Sequence, residues 1–169
     1  MIQNVGHVLE DSGGGLPGAI LASESDPRRV EAALNESAPF RHFGVRARLN
    51  PGGAPTATLE LPRILPHHRG GTTITSVNGG VIAMICDIAV GLTIVGPGLP
   101  VLTGSGVGRL NIRMRRPVEG DSLHARAFIE RIRRNLIYSR VEVYDAEDRL
   151  CVDATGTVYR SRDTAAAMG

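Results

Sequence analysis

Residues 76–98 are SVNGGVIAMICDIAVGLTIVGPG, and after residue 80 almost every position is apolar or small. The Asn78-Gly79-Gly80 triplet has the residues of a helix start, and the GPGLP stretch that follows is typical of a helix end, so the spacing predicts a helix over residues 79–95. One carboxylate, that of Asp87, lies within this run. Because an ionised carboxylate is costly to bury, we expect Asp87 to have a partner or a function.

Composition indicates a soluble globular protein with one domain. The chain has 169 residues, of which 42% are hydrophobic and 21% charged, and its net charge of +2 gives no case for nucleic-acid binding. No basic segment followed by an apolar run is visible at the start, and the apolar run at residue 81 is shorter than the roughly 20 residues that cross a bilayer. We therefore expect a cytoplasmic protein without a membrane segment. Cys86 and Cys151 are predicted to be free, buried thiols.

The pattern along the chain divides it into three parts. Residues 1–25 lack sustained periodicity and are predicted to be a flexible or loosely packed leader, residues 26–160 form the domain, and residues 161–169 form a tail. A helix is expected to begin where Ser25 or Asp26 is followed by Pro27, and to end at Pro39. FGVRARLN and ATLELP are predicted strands on either side of the turn NPGGAP, and LPHHRGGTTITSV is predicted to be a loop.

The second half of the chain alternates between apolar and polar residues. Four successive runs separated by short polar turns show this period of two, and their apolar members are Leu110, Ile112, Met114, Leu123, Ala125, Ala127, Ile129, Ile137, Val141, Val143, Leu150, Val152, Ala154 and Val158. Such runs favour an antiparallel sheet with one covered face. A helix that is apolar all round should be wrapped by that sheet. The fold class is therefore α+β, with a long central helix in a curled antiparallel sheet.

These features resemble the hotdog-fold acyl-CoA thioesterases of the PaaI-like type. The family motif is His-Gly-Gly, an apolar run and Asp eight positions after the first Gly, and Asn78-Gly79-Gly80 and Asp87 have that spacing. LNIRMRRPVEGDSLHARAFI and VEVYDAEDRLCVDATGTVYR are similar to the family's later strands. The resemblance implies hydrolysis of an acyl-CoA without a metal or other cofactor. It also implies that the Gly79 N–H is the oxyanion donor and that Asp87 is the nucleophile or water-activating base.

The chain departs from the family pattern at three positions. Asn78 stands in place of the usual His, and Thr72 stands where the family commonly has Asn. Val107 occupies the position of a Ser or Thr that often supports the attacking water, and Thr103 and Ser105 are nearby substitutes. Asn78 is expected to be a helix N-cap, a positioning residue or both, since an amide is no acid–base group.

Two residues of the motif are too far apart on one helix to act together. At a rise of ~1.5 Å per residue, Gly79 and Asp87 are about 12 Å apart along the axis. If both act, two helices must run antiparallel about a twofold axis, so we expect a homodimer with shared sites, alone or as a dimer of dimers. Gly80 lacks a side chain and permits close approach of a substrate. The alternative is that Asp87 is a structural residue at the dimer interface.

Arginines are candidates for binding the phosphates of coenzyme A. All 19 basic residues are arginine, whose planar fork suits phosphate. The pair Arg115 and Arg116 precedes a proline, and Arg133 and Arg134 lie between two predicted strands. The alternative is that these are solvated charges at edges and turns, where they oppose aggregation.

Two other motifs are rejected, and two other functions stay open. The stretch GSGVGRL at 104–110 lacks the spacing of a dinucleotide loop and leads into a strand, so its glycines more simply allow a bulge or close packing beside the helix. The adjacent His67 and His68 have no third ligand at a suitable spacing, and no metal site is expected.

The alternatives to hydrolysis are a non-hydrolytic acyl-CoA-binding protein and, ranked last, an enoyl-CoA hydratase or dehydratase.

Overall fold

The computed structural model describes residues 26–71, 73–95 and 106–159. Within them the α-helices are α1 Pro27–Glu36, α2 Ala38–Phe43 and α3 Gly79–Leu92, and short 3-10 helices lie at Pro66–His68 and Thr93–Val95. The strands are β1 Arg46–Leu49, β2 Ala57–Leu61, β3 Gly106–Met114, β4 Leu123–Arg133, β5 Leu136–Asp145 and β6 Leu150–Tyr159. The predicted leader and tail, and the GPGLP stretch, lie outside the described residues.

The six strands form one antiparallel sheet in the order β1-β2-β4-β5-β6-β3. The α+β class and the predicted strands are confirmed. β5 lies inside the sheet, and its burial alternates along its whole length, as expected for a strand with one covered face. Within the described residues β3 pairs only with β6, so its other backbone edge is open. A bulge between Val107 and Arg109 confirms the expected role of the glycines near residue 108.

Helix α3 packs one of its faces on the concave side of this sheet. Its buried residues are Ile82, Ile85, Cys86, Ala89, Val90 and Leu92. They contact β2, β3, β4, β5 and β6, whose inward residues include Ile137, Val141, Val143 and Val158. Gly156 permits the closest approach, because a Cβ there would lie 2.7 Å from Val90 Cγ1. The burial of apolar area between helix and sheet is the main stabilisation of the domain.

The opposite face of α3 is not covered by the sheet. Gly80 and Asp87 are exposed, and the residues between and beside them are only partly buried, namely Val81, Ala83, Met84, Ile88 and Gly91. The sheet therefore wraps the helix as expected, but it covers one face and leaves the opposite face open. A helix with an apolar but uncovered face has area left for a partner to bury.

The N-terminal helices differ from the prediction at their junction. Asp26 caps α1 as expected, with its carboxylate accepting from the Arg28 N–H at 2.9 Å. The predicted end at Pro39 is wrong, because α1 ends at Glu36 and Pro39 lies in the first turn of α2. Proline fits there since the first turn of a helix has no intrahelical acceptor for its N–H groups.

Candidate active site

The start of α3 is held by hydrogen bonds to its cap and to the preceding loop. Asn78 Oδ1 accepts from the Gly80 N–H at 2.7 Å, which confirms Asn78 as the N-cap. The Asn78 N–H donates to the His68 carbonyl at 2.8 Å, so the loop and the helix start form one unit. The Gly79 N–H has no acceptor among the described residues. This N–H lies at the positive end of the helix dipole and is free to bind a developing negative charge.

Asp87 lies two turns further along, on the uncovered face of α3. It is exposed, and no described residue makes an ion pair or hydrogen bond with it. The sequence placed this carboxylate in apolar surroundings, but in one chain it faces outward. An unpaired carboxylate on an apolar helix face can serve a substrate or a partner subunit.

A pocket of about 390 Å³ lies on one side of the helix start. Its lining residues are Gly71, Ser76, Val77, Gly79, Ile82, Met114, Arg115, Arg116, Pro117, Val118 and Val152. The corner that carries the two arginines is fixed by the Cys151 carbonyl, which accepts from the N–H groups of Arg115 and Arg116 at 2.8 and 3.2 Å. Arg115 pairs with Asp153, whereas Arg116 is exposed and has no ion pair with a described residue. This side of the helix start is therefore cationic.

A second pocket of about 760 Å³ lies on the other side of the helix start. It is lined by His42, Phe43, His67, His68, Asn78, Gly80, Val81 and Met84. The sequence offers His68 only as a metal ligand, together with His67, and the lack of a third ligand rejects that role. The 3-10 helix at Pro66–His68 buries His68 to 4% exposure beside the cap. This position depends on the fold of the loop, which has no periodic pattern.

Those of the remaining predicted residues that the structure describes do not come together in one chain. Thr72, Thr103 and Ser105 lie outside the described residues. Arg133 and Arg134 lie at the β4–β5 hairpin, at the opposite end of the sheet from Arg115 and Arg116. Arg134 has φ 52°, a turn conformation. Among the described arginines that the sequence predicted, Arg115 and Arg116 share a pocket with Gly79.

Val107 is the one residue of the predicted water-supporting region that the structure describes. Its side chain is partly buried, and its Cγ2 lies 3.9 Å from where a Cβ on Gly91 would stand. Gly91, one helical turn after Asp87, therefore faces a methyl group of Val107 and not a hydroxyl.

The two cysteines are free and buried, as predicted. Burial, together with the nearby Asp87 charge, raises the pKa of Cys86 to about 12. Burial and the Asp145 carboxylate raise the pKa of Cys151 to about 11. Since a thiolate and not a thiol is the nucleophile, neither cysteine is suited to covalent catalysis at neutral pH.

Metal-binding clusters and membrane-spanning helices are both absent from the described residues. Within residues 26–71, 73–95 and 106–159, no group of three or more His, Cys, Asp or Glu side chains is placed to hold a metal ion. Over the same ranges, no helix is both long and apolar enough to span a membrane. The cytoplasmic location and the absence of a cofactor stay predictions.

Comparison with known proteins connects this fold to one family. Residues 75–152, which hold α3 and the strands that follow it, match the model of the thioesterase superfamily. No curated protein sequence gives a significant match.

Among solved structures, a Shewanella oneidensis protein related to the thioesterase superfamily has a TM-score of 0.70 at 16% identity, over 88% of this chain and 100% of its own. The PaaI protein of the E. coli phenylacetic acid degradation operon has a TM-score of 0.66 at 17% identity, over 83% and 96%. A Bacillus halodurans protein, whose crystal structure was determined with CoA, has a TM-score of 0.50 at 25% identity, over 60% and 65%. The chain has the hotdog fold, residues 75–152 match the thioesterase superfamily, and PaaI proteins are among the structures that the chain is similar to.

Proposed function

We propose that the protein is an acyl-CoA thioesterase that releases a carboxylic acid and coenzyme A without a metal. The observation that carries this proposal is the pair formed by an unpartnered Gly79 N–H at the start of α3 and an unpaired Asp87 carboxylate on the uncovered face of the same helix. The Gly79 N–H can donate to the oxyanion that forms when the thioester is attacked, and the Asp87 carboxylate can activate water or attack the carbonyl itself.

The two groups meet when two subunits associate. Along one helix Gly79 and Asp87 are about 12 Å apart. At that distance Asp87 cannot act at a carbonyl carbon while the Gly79 N–H of the same chain donates to the oxygen of that carbonyl. The uncovered face of α3 and the open edge of β3 are both available for a second copy. In a twofold pair with antiparallel helices, Asp87 of one subunit faces Gly79 of the other. The homodimer thus contains two equivalent shared sites, and a dimer of dimers preserves them.

The chemistry follows from these positions. Asp87 takes a proton from water as the water attacks the thioester carbonyl, or attacks the carbonyl itself and forms an anhydride that water then hydrolyses. The carbonyl oxygen becomes negative and accepts from the Gly79 N–H. Coenzyme A leaves as the thiol, which takes its proton from the protonated Asp87 in the first route and from solvent in the second. Asn78 Oδ1 is occupied by the cap, so its amide NH₂ is the part that positions the substrate or water.

The cationic pocket beside Gly79 suits the coenzyme A half of the substrate. Arg116, with Arg115 next to it, offers charge at the mouth of that pocket, and the CoA-containing relative supports this class of ligand. Arg133 and Arg134 stay candidates, because antiparallel helices bring the far end of one sheet toward the helix start of the other subunit. Thr72, Thr103 and Ser105 stay candidates for contacts to the thioester, and the cytoplasm is the expected location.

A second function is favoured by one observation. Val107 stands where the family pattern has a Ser or Thr that often supports the attacking water, and its side chain contacts α3 near Gly91 with a methyl group. A residue without a hydroxyl at that position suits a protein that binds acyl-CoA without hydrolysing it. In that case Asp87 is an interface residue.

Coenzyme A release, measured by thiol trapping on short-chain, long-chain and aryl acyl-CoAs, distinguishes the two functions. We expect turnover by the wild-type dimer and none by Asp87→Ala, with the dimer and acyl-CoA binding retained. Tight binding without turnover by the wild type across the whole panel would instead support the binding protein.

A further inference from the structure

His68 carries a hydrogen-bond donor that no described residue uses. Its Nδ1 accepts from the Leu65 N–H at 3.1 Å, inside its own 3-10 turn. A ring nitrogen that accepts carries no proton, so the neutral imidazole has its proton on Nε2. Burial, and after it the neighbouring His67, lower the pKa of His68 and keep the ring neutral near pH 7.

The ring of His68 lines the larger pocket at the helix start. His68 is only 4% exposed and is one of the residues that line this pocket. Because its Nδ1 edge is turned to Leu65, the opposite edge with Nε2–H is the one left for the pocket. A nearly buried donor without an acceptor is unfavourable unless a ligand or water accepts from it.

The rest of the pocket defines the ligand that fits. Phe43, Val81 and Met84 form an apolar wall, while His42 and His67 add imidazole groups. Among the described residues of one subunit, no carboxylate and no arginine lines this pocket, in contrast to the one beside Arg115 and Arg116. An ionised group would find no fixed counter-charge here, whereas an apolar body with an uncharged acceptor oxygen would be well solvated.

We propose that this pocket holds the acyl group and that His68 Nε2–H donates to an uncharged hydroxyl or keto oxygen on it. His68 is thereby a specificity-determining residue outside the family motif, and it favours oxygen-substituted acyl groups over plain alkyl ones. The proposal rests on the proposed function, which places the thioester at Gly79 and coenzyme A on the arginine side.

The test compares acyl-CoAs of equal chain length: butanoyl-, 3-hydroxybutanoyl-, 4-hydroxybutanoyl-, 3-oxobutanoyl- and succinyl-CoA. Dissociation constants are measured by calorimetry on full-length Asp87→Asn dimer, so that no turnover intervenes. We expect at least one hydroxy or keto substrate to bind roughly tenfold more tightly than butanoyl-CoA, which is the effect of one added hydrogen bond. Succinyl-CoA, with its charged carboxylate, should gain nothing.

Two substitutions at His68 distinguish the role of its Nδ1 acceptor from that of its Nε2–H donor. In His68→Asn the amide oxygen can still accept from Leu65, but the donor at Nε2 is lost, so the ratio of affinities for the hydroxy and plain substrates should fall to about one. In His68→Gln the amide NH₂ reaches the Nε2 position and should retain part of the preference. His124→Asn, a matched change at a partly buried histidine in another pocket, should keep the wild-type ratio.

A readout that needs no variant at this position is the ¹H–¹⁵N signal of the His68 Nε2–H. It should move on addition of the preferred hydroxy or keto substrate and not on addition of butanoyl-CoA. Equal affinities across the panel, or a preference that persists in His68→Asn, would overturn the proposal for His68. If the wild type hydrolyses the panel in that case, the proposed function still stands. If none of these acyl-CoAs binds, both proposals fail.

Discussion

The charge of Asp87 is the feature that separates α3 from an ordinary core helix. Asp87→Asn keeps the shape of the side chain and removes its basicity, and no described residue of the same chain makes a hydrogen bond or ion pair with that carboxylate. We therefore expect kcat for acyl-CoA hydrolysis to fall by about 10³-fold, the scale of a lost general base, while thermal unfolding stays close to the wild type. Thiol trapping and a melting curve measure the two effects. If Asp87→Asn kept half of the wild-type rate, that result would contradict a role of Asp87 in the reaction.

Gly79 offers a substitution that deletes one hydrogen-bond donor and little else. Proline is favoured at the first position of a helix and lacks an N–H, and Asn78 already has φ −62° and ψ 140°, which suit the residue before a proline. Gly79→Pro should lower kcat by about 10²-fold or more, as the loss of an oxyanion donor does. Gly79→Ala is the control, because it keeps the N–H and its Cβ would lie 3.5 Å from Met114 Cε. Equal rates for the two variants would contradict the role of this N–H.

Asp145 is a buried carboxylate that stabilises the β5–β6 turn. Burial raises its pKa, but hydrogen bonds from the N–H and guanidinium of Arg149 outweigh burial, with help from the Glu147 N–H and the Cys151 thiol, and hold the pKa below its ordinary value. We expect Asp145→Asn to lower the free energy of unfolding by about 1–3 kcal/mol, since donors then lose their acceptor.

The pH dependence of that loss has a definite sign. A carboxyl whose pKa is lower in the folded than in the unfolded chain stabilises fully above the unfolded value, about 4, and stops stabilising as pH falls through the folded value. Urea unfolding of wild type and Asp145→Asn should therefore differ at pH 7, and the difference should shrink progressively as the pH falls from about 4 toward the folded pKa. A difference that persists unchanged in acid would show that the carboxylate charge is irrelevant to the turn.

At the scale of elements, the contact between α3 and β6 depends on a missing side chain. A Cβ on Gly156 would lie 2.7 and 2.8 Å from two methyl carbons of Val90 and 3.0 Å from the Arg109 carbonyl oxygen. We expect Gly156→Ala to destabilise the domain by about 1–3 kcal/mol through overpacking, measured by urea unfolding. Gly106→Ala on the same sheet, where no described atom lies within 4 Å, is the control. Equal midpoints for the two variants would refute the tight contact.

The elements that the sequence predicted best are those whose pattern is periodic. Alternation along β4, β5 and β6 predicted both the strands and the covered face, because a one-residue slip would turn every apolar side chain outward. The prediction was wrong at Pro39, since proline ends one helix and begins another with equal ease. The short turn that buries His68 has no periodicity, so its position followed only from the folded loop.

At the scale of the whole molecule, the uncovered face of α3 predicts association. Ala83 lies on this face beside the exposed Gly80 and Asp87. Ala83→Arg should give a monomer in sedimentation and abolish turnover, because an unpaired charge in an apolar interface is costly and the shared site needs both subunits. Ala83→Ser is the matched control. An active monomer would contradict the shared site.

The sequence identified the motif but left the surroundings of Asp87 open. Spacing along one helix showed that Gly79 and Asp87 cannot meet in one chain. It could not show that the carboxylate faces outward. In a helix that is apolar all round, the sequence does not indicate which face packs on the sheet and which face is left for a second subunit. For the same reason the place of Arg133 and Arg134, at the far end of the sheet, depends on the partner.

The most direct test of the central claim is complementation between two inactive subunits. Asp87→Asn and Gly79→Pro chains, with different tags, are coexpressed, and acyl-CoA hydrolysis is compared with that of each variant alone. If the site is shared, every mixed dimer has one intact site. Random pairing then restores about a quarter of the wild-type activity. Recovery of that size, confined to dimers that carry both tags, is the predicted result. Mixed dimers no more active than the separate variants would contradict a site built from two subunits.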